Sequence, residues 1–471
     1  MIPFEDHFRL SRAELNKILD IALSSGGDFA EIYLEYRTYS FINMEEDIIK
    51  ETAESIGLGM GIRVLSGEMT GYGYTNDLSF AKVKKAAISA AAIASGQAVA
   101  TPRRFRKVQP EASVYTVGAP LHLLDLKKKI GLVEEAYLAC QRSDPKIKKA
   151  KAQFQDQVQY VSIINSEGLC VQDARPQARL ACYAIAEKGN RKEFGYSGGG
   201  GRIGLEYFNR VRSPRQIGQE AAEEALKLLE AVDPPAGEMS VVLAPGHSGV
   251  FVHEAVGHLL EADFNRKRTS IFWDKMGRKV GAPVVTIYDD PTIPSFRGSY
   301  DIDDEGTIPQ KTLLIDRGVV ISYLQDRLSA QLMNSPLTGH GRRQDYTCPP
   351  LPRMSNTYIE RGQSDPEEIL QSVGKGIYAE RFEGGQVEDS GKFTFTISSG
   401  YLIEGGHLTA PIKQATLIGS NIDILLKIEM VGFDLAFGLQ TGTCGKEGQE
   451  VPVADGCPTI KISLMTVGGR P

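Results

Sequence analysis

An α+β chain of two domains is what the sequence predicts. Residues 1–232 read as an antiparallel sheet carrying helices, and residues 238–471 as a mostly β domain that also bears one motif-carrying helix. Three observations carry that expectation. Before residue 232, alternating stretches rich in β-branched and aromatic residues are interleaved with a few segments of helical period. The run Asp233-Pro234-Pro235-Ala236-Gly237 then punctuates the chain more strongly than any other. Beyond Phe264, glycine, proline and alternating apolar residues dominate, and helical spacing nearly vanishes. At 471 residues the chain exceeds what a single compact core holds.

In chain order, Ser11 and Glu14 form a capping box, and Leu15, Ile18, Leu19 and Ala22 follow at helical spacing. Phe29–Tyr39 and Ser55–Gly73 alternate as strands do. Alanine-rich Lys82–Ser95 predicts a helix stopped by Gly96, and Leu123–Cys140 predicts another, ending near Pro145. Strands resume at Gln157–Asn165, Gln177–Ala186 and around Tyr207. Gly198–Gly201 reads as a flexible hairpin tip, since no Lys-Ser/Thr follows to make a phosphate loop. Pro214–Ala231 is an amphipathic helix. Met239–Ala244 is a short buried strand, Pro245–Gly249 a turn, and a helix follows. Later strand candidates are Pro283–Tyr288, Gly318–Leu324, Lys392–Leu402 and Thr459–Met465.

Composition narrows the function classes. Hydrophobic content of 42% and charged content of 24% are ordinary for a globular protein. A net charge of −6 gives no general attraction for nucleic acid or anionic lipid, so neither partner is expected. Arg103–Lys107 is a local basic patch that reads as a solvated turn. Met1–Asp6 is acidic and lacks a signal pattern, and no apolar run approaches bilayer length, so a cytoplasmic location is expected. The six cysteines are scattered without a CxxC pair, which points to thiols or ligands, not disulfides.

Chemistry concentrates in His253-Glu254-Ala255-Val256-Gly257-His258. Neutral imidazole is the commonest zinc ligand, and a neighbouring glutamate can take a proton from metal-bound water. The histidines stand at i and i+5, whereas the zincin signature has i and i+4. On a regular helix that offset points them about 140° apart. A π-bulge or unwound turn would bring them together, and Gly257 makes that distortion cheaper. Two histidines do not complete a catalytic site, which takes three protein ligands and an open position. His247, Glu261 and Asp263 are near in sequence; His340, Cys348, His407, Cys444 and Cys457 are distant. Cys444 is the most suggestive, because Thr441–Gly445 presents a thiol on a tight turn. Asp301–Gly306 resembles a calcium loop but has Thr312 where the EF-hand needs Glu. It therefore reads as a solvated acidic turn, or as side chains bonding backbone near the site. Extended peptide is expected to add to exposed strand edges, the candidates being Phe393–Ile397 and the loop Arg353–Tyr358.

Val252-His253-Glu254-Ala255-Val256-Gly257-His258, continuing through Leu259–Arg266, resembles the hallmark of the TldD/PmbA metallopeptidases, also known as modulators of DNA gyrase. Further blocks agree in order: Asp301–Gly306, Gly341–Arg343, Pro352–Tyr358, Gly384–Val387, Ala415–Gly419, Met430–Gly432, Thr443–Lys446 and Thr466–Gly469. The resemblance is close over residues 239–471 and extends to residues 1–230 in element order only. It implies that His253, His258 and Cys444 hold one zinc ion per active chain, other divalent transition metals being chemically compatible, and that Glu254 is the catalytic base. It implies unfolded or extended peptides as substrates, and a homodimer or a heterodimer with a PmbA/TldE-like paralogue. One branch of the family lacks the metal residues; this chain keeps all four and so resembles the active branch. The alternative is a non-catalytic partner subunit or binding module, which predicts no stoichiometric zinc.

Overall fold

The computed structural model describes residues 8–93, 102–103, 106–108, 110, 113–115, 117–388 and 390–469. Expectations placed on Met1–Asp6, Ala94–Gly96 and Arg104–Phe105 lie outside the described residues. The molecule is α+β as expected: an antiparallel sheet with helices comes first, and a β-rich half follows.

The first sheet is built from long strands whose alternation sorts two different faces. Its strands are β1 (Phe29–Glu45), β2 (Ile48–Ser66), β3 (Met69–Thr75), β4 (Arg106–Val108), β5 (Ile147–Asn165), β6 (Leu169–Lys188) and β7 (Arg191–Gly201). The order is β3-β2-β1-β5-β6, with β7 antiparallel and β4 parallel to β6. On β1, Ile32, Leu34, Ile42 and Met44 share one face because side chains repeat every second residue. Helices Arg12–Ala22 and Phe80–Ile93 cover one end of that face, and Leu126–Gln141 and Pro214–Leu229 cover the other. The first helix carries the expected capping box, Ser11 and Glu14 each satisfying the other's backbone.

Two readings of this half are corrected. Tyr207 lies in a short helix, Tyr207–Arg210, not in a strand. Gly198–Gly201 is the end of β7 and not a hairpin tip. A Cβ at Gly200 would stand 2.1 Å from the Ala178 carbonyl oxygen, so close strand approach explains the glycine.

The C-terminal half contains a closed ring of strands. β8 (Gly237–Leu243) pairs in parallel with Lys375–Val387 and antiparallel with Ile460–Gly468. The ladder continues through Ala415–Ser420 to Lys392–Glu404, which pairs back onto Lys375–Val387. Closure of this kind removes edges. A second sheet runs Val319–Val320, Thr312–Asp316, Ile287–Asp289, Asn356–Ile359, Ala454–Cys457, Ala436–Phe437. Both proposed peptide-docking segments are therefore core. Lys392–Glu404 has neighbours on both sides, with Phe393, Phe395 and Ile397 buried, and Asn356–Ile359 is likewise paired on both sides. Sequence alternation shows a buried face but cannot tell an edge strand from a central one.

The two halves meet through buried charge. The odd-numbered face of β1 presents Glu31, Tyr33 and Glu35 to the C-terminal half. Arg63 of β2 lies 2.9 Å from Glu31 and 2.5 Å from Glu305, Arg343 pairs with Glu31, and Arg175 pairs with Asp304. Asp301–Gly306 is thus no solvated turn. Asp303, Asp304 and Glu305 are buried, and Asp303 also accepts the backbone N–H groups of Glu305, Thr307 and Gly341.

Glu35 is one of the seam's costly members. It accepts a hydrogen bond from the Tyr346 N–H at 3.1 Å, yet burial pushes its carboxyl up to about 7, with Arg37 only partly opposing. An acid raised in the folded state ionises more easily in the unfolded chain. Its contribution therefore falls as pH rises from the unfolded value near 4 to about 7, and is level above that. Glu35→Gln is expected to stabilise the protein at pH 8 by about 1–4 kcal/mol, with the gain gone near pH 4. Denaturant melts of both proteins across that range check the sign.

Candidate metal centre

The motif begins as an α-helical turn, Gly249–Val252, continues as a π-helix over His253–Gly257, and ends as a 3₁₀ turn, His258–Leu260. The π turn is the device the i, i+5 spacing called for. The His258 N–H donates to the His253 carbonyl, five residues back, so the two imidazoles fall on one side. Their ring centroids are 5.1 Å apart and the planes stand at 89°. Gly257 serves a different purpose from the one expected of it. Its φ of −56° is ordinary for a helix, but a Cβ would stand 1.9 Å from Met354 Sδ. Asn421, fully buried, donates to the Ala255 carbonyl of this distorted turn.

Cys444 arrives from the hairpin Thr443–Lys446/Gln449–Pro452. Its Sγ lies 3.4 Å from His258 Nε2, and the ligand-type atoms of His253, His258 and Cys444 all lie within 4.8 Å of one another. Two imidazoles and a thiol at that separation can grip one transition-metal ion. Among the described residues this is the one such group of three. Burial alone would push the Cys444 thiol up, but the adjacent imidazoles hold it well below the ordinary thiol range. Glu254 stands at the rim, its carboxylate 3.9 Å from His258 Nε2 and about one-third exposed.

Each imidazole is backed by a carboxylate that sequence reasoning did not assign. His253 Nδ1 lies 2.7 Å from Asp455 Oδ1, and His258 Nδ1 lies 3.2 Å from Glu261 Oε2. A carboxylate behind Nδ1 fixes the ring and leaves Nε2 free to ligate. Burial works against charge on His258, yet Glu261 and Cys444 overcome it and raise its pKa to about 10. These anions thus favour positive charge at the imidazoles, which suits a cation site. Glu261 is itself held down to about 2, burial being outweighed by Lys446, His258 and Arg353. Lys446 bridges Glu261 at 3.0 Å and Asp263 at 2.7 Å. Alternation from Cys444 puts Lys446 on the same face, a signal the sequence did contain; nothing in it marked Asp455.

The remaining candidates do other things. His247 borders a separate cavity and is held down to about 4 by burial and Arg381. His340 is buried between Asp289 and Thr338. Cys457 is core, Cys348 sits beside Thr347, and His407 is exposed on the strand His407–Ile412.

The chain matches sequence models of the PmbA/TldA metallopeptidase C-terminal domain over residues 236–469, of its central domain over 119–229, and of its domain 1 over 30–94. The chain belongs to the PmbA/TldD metallopeptidase family. Within that family it is 42% identical, over 98% of its length and 97% of the relative's, to a metalloprotease TldD homologue of Haemophilus influenzae. A metalloprotease of Methanocaldococcus jannaschii is 33% identical over 97% of this chain and all of that one. Solved structures share the fold. A Thermotoga maritima protein described as a modulator of DNA gyrase matches with a TM-score of 0.79 at 22% identity, covering 97% and 99% of the two chains. TldE from Thermococcus kodakarensis matches with a TM-score of 0.76 at 18% identity, covering 97% and 100%.

Proposed function

We propose that the chain is a zinc-dependent peptidase that hydrolyses unfolded or extended peptides, with His253, His258 and Cys444 as metal ligands and Glu254 as general base. The observation that carries this reading is the convergence of those three ligand atoms within 4.8 Å, with a partly exposed carboxylate beside them. When bound, zinc supplies a Lewis acid for the scissile carbonyl and lowers the pKa of a water toward neutrality. Glu254 takes the proton of the attacking water on its carboxylate and delivers it to the leaving amine. Its exposure lets it reach water and substrate, whereas the buried Glu261 and the mostly covered Asp455 orient the two imidazoles. His253 and His258 stay neutral in this scheme, as ligation requires. We also take Asp233–Gly237 as the boundary between domains 1–232 and 238–471.

Pairing with a second copy or with a TldE-like chain is part of the same proposal, supported by the metalloprotease TldD names of close relatives and the likeness to a TldE. A non-catalytic role predicts a chain that binds no metal, and the intact His-His-Cys cluster speaks against it. No helix of the described residues is long and apolar enough to cross a membrane. Digestion of unfolded casein is expected to track bound zinc. A strong chelator should abolish it, and equimolar zinc should restore it. Cleavage at an undiminished rate by metal-free protein would overturn the assignment.

A further inference from the structure

Away from the metal cluster, a cavity of about 380 Å³ lies between the polar face of the first sheet and the C-terminal half. Its sheet wall is a two-residue repeat across two strands: Gln155, Gln157 and Gln159 of β5 stand opposite Arg179, Gln177 and Arg175 of β6. Arg202, Arg297 and Arg342 close the other sides, where Asp303, Asp304 and Glu450 also reach the wall. Thr443 lines this cavity, while its neighbour Cys444 faces the histidines.

The arginines of this seam fall into two kinds. Arg63, Arg175 and Arg343 each meet a carboxylate. Arg179, Arg202, Arg297 and Arg342 have no ion pair among the described residues and meet neutral oxygens only. Arg179 donates to Tyr196 Oη at 3.3 Å and Arg202 to the Ser299 carbonyl at 3.2 Å. Arg297 donates to the Gly442 carbonyl at 2.6 Å and Arg342 to the Pro452 carbonyl at 2.8 Å. Arg202 is 3% exposed, and its Nη1 has no hydrogen-bond partner at all. Burial and mutual repulsion pull Arg202 down to about 10 and Arg297 to about 9. Asp304 on the same wall is taken up by Arg175, so these four guanidinium groups have no carboxylate in contact among the described residues. Like charges gathered in that way are costly out of water, and guanidinium groups match carboxylate and phosphate oxygens in pairs.

We propose that this cavity is a binding site for a ligand carrying two or more oxyanion charges, brought either by clustered acidic side chains of a peptide or by a free phosphate compound. The alternating glutamines add amide donors and acceptors that suit either source. The site stands or falls independently of the peptidase reading, because its test reads binding and not turnover.

Calorimetry and thermal melting of the intact protein with tetraglutamate, tetraglutamine and inorganic phosphate test it. We expect tetraglutamate or phosphate to bind and raise the Tm while tetraglutamine does neither; the tighter of the two anions identifies the source. Arg202→Met should weaken that binding about tenfold while leaving the unliganded Tm unchanged or higher, since it removes an unpaired buried charge. Arg179→Gln, at the less buried rim, should weaken it similarly and covers the case in which Arg202→Met does not fold. Absence of anion binding, or equal affinity in wild type and variants, would overturn the proposal.

Discussion

Cys444→Ala is expected to strip the centre of its metal. Zinc content should fall from about one per chain to a small fraction, and kcat/KM on an unfolded peptide should drop by three or more orders of magnitude, as when parts that act as a unit are broken. The reason is geometric. His253 and His258 come from one distorted turn and would supply two ligands of the proposed site; the hairpin carrying Cys444 would supply the third. Two imidazoles hold zinc too weakly for a catalytic site. Loss of the ion also leaves buried Glu261 and the mostly covered Asp455 with less positive charge nearby, although Lys446 still neutralises Glu261. The fold should survive, because Cys444 leaves only a small cavity beside partners that remain paired. Metal analysis and circular dichroism of the same preparation separate loss of zinc from loss of structure. A variant that keeps stoichiometric zinc would remove Cys444 from the ligand set.

Glu254→Gln should produce the opposite pattern: zinc retained, turnover lost. The substitution keeps size and hydrogen bonding while removing the proton acceptor, and general acid-base groups contribute about 10²–10⁴-fold. The drop should appear in kcat with KM little changed, since the residue acts in the transition state and not in ground-state binding. Glu254 makes no buried ion pair that its neutralisation would orphan; its nearest ring nitrogen is 3.9 Å away. Stability should therefore be within about 0.5 kcal/mol of wild type. A variant with an unchanged rate would mean that Asp455, Glu261 or another group is the base.

The convergence of the two histidines was legible in the sequence, for a physical reason. An i, i+5 histidine pair cannot converge on a regular helix, so the spacing itself demanded a π turn or an unwound one, and a π turn is what His253–Gly257 forms. Cys444 stood out as a thiol on a glycine turn, but spacing left it one candidate among several; the family resemblance singled it out. Charge at a distance was not legible. Asp301–Gly306 read as a solvated acidic turn or as side chains bonding backbone; Asp303 does the second, but a run of carboxylates says nothing about the arginines that come from β2 and β6 to meet it. Nor could alternation in Lys392–Glu404 reveal that the strand sits inside a closed ring with no free edge. Gly257 illustrates the same limit. The sequence offered backbone freedom as its purpose, whereas the structure gives a steric one, set by Met354 nearly a hundred positions away.

Anomalous diffraction at the zinc edge, from crystals of zinc-loaded protein, tests the central claim most directly. One strong peak is expected per chain, within bonding reach of His253 Nε2, His258 Nε2 and Cys444 Sγ together, with one side open toward Glu254. A peak held by other residues, or a Cys444 sulfur left out of bonding range while zinc is bound, would contradict it.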